Sequence, residues 1–185
     1  MKVKLNPMFE QASGQLGDMV FRELRGKTFV SRKPTLTGEP TENQMEHRER
    51  FKQAAAYGKS ALANTETRAL YEEIAKNKNI PVFAATIADF FNAPVIDTID
   101  LSAYNGQAGD IVRISARDDF GVAAVHVSIT DNSGESIESG NAVAAAGGWV
   151  YTTKEVVNAG TNVIVHVVAT DRPGGTGVSS SAKTL

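Results

Sequence analysis

Residues 163–175 read VIVHVVATDRPGG. Val163, Val165, Val167 and Ala169 occupy alternate positions, with His166 among the residues between them. A period of two marks a strand with one buried face. The run then meets Asp171-Arg172-Pro173-Gly174-Gly175, a cluster of turn formers. Ala124–Ile129 repeats the pattern, with Val125, Val127 and Ile129 facing one way and His126 and Ser128 the other. Further runs lie at Val95–Leu101, Ile111–Ala116, Ser136–Ala142, Gly148–Thr153 and Ser179–Leu185. Seven short strands separated by turn signals such as DNSG, residues 131–134, predict an antiparallel β-sandwich over 93–185.

The chain upstream has a different character. Residues 1–92 hold 14 Lys/Arg and 11 Asp/Glu, whereas 93–185 hold 5 and 10. Helical periodicity dominates the first part, and Val, Ser, Thr, Gly and Asp the second. The expected fold class is therefore α+β. Residues 1–92 form a hairpin and three-helix module, and 93–185 the sandwich.

Within the first part, GDMVFRELRGKTFVSRK (17–33) places β-type runs on both sides of Arg25-Gly26 and predicts a hairpin. A two-residue turn sets Phe21 opposite Val30 on one side of the ribbon. Val20, Leu24 and Phe29 fall on the other. Both faces carry apolar groups, and a lone ribbon is marginal in water, so it must pack on something. Its own helices or a neighbouring subunit are the two choices. Thr41-Glu42-Asn43-Gln44 reads as a capping box opening a helix to about Ala63. Met45, Phe51, Ala55 and Leu62 are expected on its inner face, and Gly58 weakens its middle. A second helix starts at Asn64-Thr65, with Leu70, Tyr71, Ile74 and Ala75 inward, and ends at Asn77–Asn79. Pro81 opens a third, VFAATIADFF, to about Phe91.

Bulk properties narrow the function. The 185 residues are 42% apolar and 22% charged with net charge -2, which describes a folded chain with no global pull toward nucleic acid or anionic membrane. Basic residues near the hairpin are the only support for nucleic-acid binding, and helix 42–63 interleaves both signs. No apolar run is long enough for a membrane span. Cysteine is absent, which excludes disulfides, thiolate metal sites and thiol nucleophiles. MKVKLNPMFEQASGQ at the start lacks the apolar stretch of a secretory signal, so an extracellular role implies a leaderless route, such as release within a virus particle.

RISARDDFGVAAVHVSITDNSG (113–134), Trp149-Val150-Tyr151 and AGTNVIVHVVATDRPGG (159–175) together resemble the bacterial immunoglobulin-like modules of repeat-rich surface proteins. The resemblance covers about residues 94–185. It implies an immunoglobulin-like sandwich and leaves function open. A single copy stands here rather than a tandem array, and the helical half lies outside the pattern. With its leading hairpin, the whole chain resembles bacterial or phage-linked structural proteins.

In such a sandwich the loops holding Asp118-Asp119 and Asp171 share one end. Clustered carboxylates repel unless a cation sits among them. Arg117 and Arg172 could fill that role as ion-pair partners. Calcium held by Asp118, Asp119, Asp171 and loop carbonyls is the alternative. Ala169–Gly175 resembles the calcium loops of cadherins, although the further acidic residues of those sites are missing.

No GxSxG, HExxH or Walker string occurs, and Gly174–Gly177 is followed by no helix that could hold a phosphate. His126 and His166 could bind zinc with an Asp if they were cross-strand neighbours. Trp149 is expected in the core, with an exposed sugar-binding platform as its alternative. The sequence thus reads as a non-enzymatic structural or assembly protein, associating with itself or other structural proteins through Val20, Phe21, Leu24, Phe29 and Val30. An adhesin-type module for carbohydrate or protein, stiffened by calcium, is the second reading.

Overall fold

The computed structural model describes residues 13–24, 26–35 and 38–185, except the Leu24 side chain. It divides into two compact units, Met1–Met45 and Glu46–Leu185.

In the first unit, β1 (Gly14–Leu16), β2 (Met19–Leu24) and β3 (Lys27–Arg32) form an antiparallel sheet in that order. Phe21 pairs with Val30 and Leu24 with Lys27, the register of a two-residue turn. Gly26 closes it with a φ of 70°, a left-handed value that a β-branched residue resists, while Arg25 lies outside the described residues. The third strand, β1, goes beyond the expected hairpin.

Helix α1 (Glu42–Ala63) begins at the expected capping box. The Gln44 amide donates to Thr41 Oγ1 at 3.3 Å, and the Thr41 amide to Gln44 Oε1 at 3.2 Å. Its buried face differs from the expected one. Ala54, Gly58 and Ala61 are buried, whereas Met45 is 51% and Phe51 49% exposed. Gly58 makes this close packing possible, because a Cβ there would lie 2.5 Å from Thr86 Oγ1 and 3.0 Å from Phe83. Helix α2 (Thr65–Lys78) buries Tyr71 and Ala75 and leaves Leu70 at the surface. Asn64 caps it by accepting from the Thr67 amide at 3.0 Å, and Asn79 ends it in the left-handed region. Asn64→Ala should cost about 1 kcal/mol in chemical denaturation; an unchanged midpoint would argue against the cap. Helix α3 (Val82–Phe91) is preceded by Pro81 at its N-cap.

The sandwich-like part comprises β4 (Val95–Asp100), β5 (Ile111–Arg117), β6 (Ala124–Asp131), β7 (Ser136–Asn141), β8 (Val143–Ala145), β9 (Gly148–Thr152), β10 (Asn162–Thr170) and β11 (Thr176–Thr184). They form two antiparallel four-stranded sheets, ordered β11-β10-β6-β7 and β4-β5-β9-β8. The alternating valines meet across the β10–β6 ladder, with Val165 opposite Ile129, Val167 opposite Val127 and Ala169 opposite Val125. They share one core with Val112, Ile114 and Tyr151 of the other sheet, and Trp149 packs against it half-buried. The segment expected as one strand over 136–142 crosses between the sheets at Ala142, giving β7 and β8. The last strand begins at Thr176, earlier than expected, so Gly177 lies inside a strand rather than in a turn.

A second cluster joins Ala61, Tyr71, Ala75 and Ala85 of the helices to Phe120, which follows β5. The composition change at 92/93 therefore separates two kinds of secondary structure that share packing. Among the described residues, no helix is long and apolar enough to cross a membrane.

Candidate metal centre

The loop after β5 carries Asp118, and the loop after β10 carries Asp171. Both come together as expected, but the third member of their cluster is Asp89 on α3 rather than Asp119. Oxygens of Asp89, Asp118 and Asp171 lie within 4.8 Å of one another. Asp119 stays out, its side chain 64% exposed, 3.6 Å from Lys78 Nζ.

Each inward carboxylate has one oxygen held by a donor. Asp118 Oδ2 accepts the amides of Phe120 at 2.6 Å and Gly121 at 2.9 Å. Asp171 Oδ1 accepts the Gly175 amide at 2.5 Å. Asp89 Oδ2 accepts from Tyr71, whose hydroxyl is also 2.8 Å from that of Tyr57. The opposite oxygens, Asp89 Oδ1, Asp118 Oδ1 and Asp171 Oδ2, are buried with no hydrogen-bond partner. Asp89 is fully buried and Asp171 is 3% exposed.

The arginines expected to neutralise this end are engaged elsewhere. Arg117 pairs with Asp97 at 2.8 Å, and Arg172 donates through Nη1 to the Phe120 carbonyl at 2.7 Å. Among the described residues neither forms an ion pair with the three carboxylates. Burial, followed by the charges of Asp118 and Asp171, pushes Asp89 up to about 6 against the pull of the Tyr71 hydrogen bond. Burial also raises Asp171, with the Gly175 and Gly174 amides acting the other way. Burial raises Tyr71, and its hydrogen bond to Asp89 adds to this.

Three carboxylates arranged this way share a proton or hold a cation. Asp89 was missed in the sequence because it sits in a short apolar helix with no acidic neighbour. The available signal was that isolation: Asp89 is the one charged residue of VFAATIADFF, three positions after Thr86 and four after Ala85, which are also buried.

The zinc alternative does not assemble. His126 pairs with Val168 and His166 with Ser128, so the two are not opposite one another. His126 Nδ1 contacts Asn141 Oδ1 at 2.9 Å, and His166 Nε2 lies 3.4 Å from Thr130 Oγ1. In the ribbon, Val20, Phe21 and Val30 are half-buried and Phe29 is 37% exposed.

No protein-family model matches the chain, and no curated protein matches it. Several solved structures are similar in part, two of them as follows. CopC from Methylosinus trichosporium OB3b is 18% identical with a TM-score of 0.37, covering 49% of this chain and 91% of its own. A tetra-tandem repeat in the extending region of a large adhesion protein is 24% identical with a TM-score of 0.33, covering 51% of this chain and 24% of its own.

Proposed function

We propose that the protein is a non-enzymatic structural subunit that associates with other copies of itself through the N-terminal ribbon, its second module being an immunoglobulin-like sandwich. One observation carries this reading: no described residue of β1, β2 or β3 is buried. Leu16 is 67% and Met19 45% exposed on one face, and Phe29 is 37% exposed on the other. A small sheet with apolar groups on both faces gains stability by covering them. Charge favours a second copy as the cover. The described ribbon carries Arg22, Lys27, Arg32 and Lys33 against Asp18 and Glu23, while residues 93–185 hold twice as many acids as bases. A ribbon of one copy on the acidic half of the next is a head-to-tail contact, which builds rings or filaments.

Light scattering across concentration tests this. The full-length chain should form species larger than a monomer, and added salt should weaken them. Phe21→Glu with Phe29→Glu should return the chain to a monomer. A wild-type monomer at every concentration, or an unchanged assembly in the double variant, would remove the ribbon from the function.

A binding module remains the second reading, favoured by a cleft of about 490 Å³ lined by Phe91, Val95, Arg117 and Asp118 among others. A smaller groove of about 200 Å³ includes Trp149 and Arg113. Apolar surface beside two or three charged side chains suits a carbohydrate or a protein.

A further inference from the structure

We propose that Asp89, Asp118 and Asp171 form a cation site, that its ion is calcium, and that the ion fastens helix α3 to two loops of the sandwich. This goes beyond the assembly reading and does not depend on it. Convergence of three acids alone would say little. The added observation is that each keeps one oxygen buried and unpartnered, and that two of these side chains are almost wholly shielded from water. Such oxygens are costly unless something meets them. The two arginines nearest in sequence are spent on Asp97 and the Phe120 carbonyl.

The donor set selects the ion. Every available ligand atom is oxygen, and no thiolate or imidazole joins the cluster, which disfavours zinc. The committed oxygens are fixed by a helix tyrosine and by turn amides, so the geometry is irregular. Calcium accepts an irregular shell of six to eight oxygens, whereas magnesium demands a near-ideal octahedron. Water or backbone carbonyls would complete the shell. Gly175 preserves the position of Asp171, because a Cβ there would lie 2.4 Å from Asp171 Oδ2.

The test uses the full-length chain, stripped with chelator and titrated with calcium chloride. At a hundredfold excess over Kd, the melting temperature should rise by about 5–10 °C. Terbium, a calcium surrogate, should luminesce on tyrosine excitation, since Tyr71 touches Asp89. Asp89→Asn keeps an acceptor for Tyr71 but removes charge, and should weaken calcium binding more than about tenfold. Asp171→Asn should do the same, and serves if the first variant does not fold. Asp119→Asn should bind as wild type. No thermal shift in the wild type at about 10 mM calcium, beyond the weakest protein calcium sites, would overturn the site. So would a full shift in both Asn variants, or its loss in Asp119→Asn. An equal shift from magnesium at the same concentration would overturn the choice of calcium.

Discussion

Gly177→Ala should destabilise the protein by about 4 kcal/mol or more, lowering the melting temperature by roughly 10 °C. A Cβ at this position would lie 1.9 Å from the Pro94 carbonyl oxygen and 2.8 Å from its carbon. Both clashing atoms are backbone, so no rotamer change can relieve the contact. Gly177 pairs with Ala169 on β10, and Pro94 leads directly into β4. The edge strands of the two sheets touch here, and the added methyl must push them apart or break the β10–β11 ladder. Val178→Ala is the control. Val178 is 75% exposed, and its truncation should stay within about 0.5 kcal/mol. Urea denaturation of the three proteins measures both. A Gly177→Ala midpoint near that of the wild type would mean that the strands do not approach so closely.

The second large effect is a dependence on pH in the absence of divalent ions. Asp89 faces Tyr71, Asp118, Asp171 and, at longer range, Arg172, and its carboxyl is raised from 3.8 to about 6. A carboxyl raised in the folded state favours folding while it is protonated. Its contribution is complete below the unfolded value and is lost as pH rises through about 6. The full difference is about 3 kcal/mol, and roughly half of it falls between pH 5 and 7.5. Asp171 shifts in the same direction. Asp100, Asp110 and Asp131 are held low by local hydrogen bonds, so their loss begins only in more acid solution. Chelated protein should therefore melt about 3–5 °C lower at pH 7.5 than at pH 5. Asp89→Asn should flatten that slope. A slope retained in the variant would place its origin elsewhere.

Both effects depend on contacts of unequal visibility in the sequence. The buried faces of β6 and β10 were legible because strict alternation puts Val125, Val127 and Ile129 on one side of the first and Val163, Val165 and Val167 on one side of the second, although their pairing was not. Asp118 and Asp171 were legible because strand order brings their loops to one end. The face of α1 was not, since its apolar residues Met45 and Phe51 lie outside and small residues make the contact. Close packing against Phe83 and Thr86 selects Gly58 for what it lacks, and hydrophobicity carries no sign of that. The crossing at Ala142 was hidden for a similar reason. The Ala142 amide bonds to Val125 at 2.8 Å, a tertiary event in a segment whose composition hardly changes.

The contact between β11 and the region around β4 also has a temporal consequence. Lys183 Nζ donates to the carbonyl of Leu101 at 2.8 Å, joining positions 82 apart, and also to that of Tyr104. Closing so long a loop costs entropy before any burial repays it. The helices close over short separations and should form early, while the sheets wait for their most distant strand. During that interval the valine stripes of β6 and β10 stand uncovered. Refolding should then be slow, on the scale of milliseconds to seconds, and prone to aggregation at high concentration.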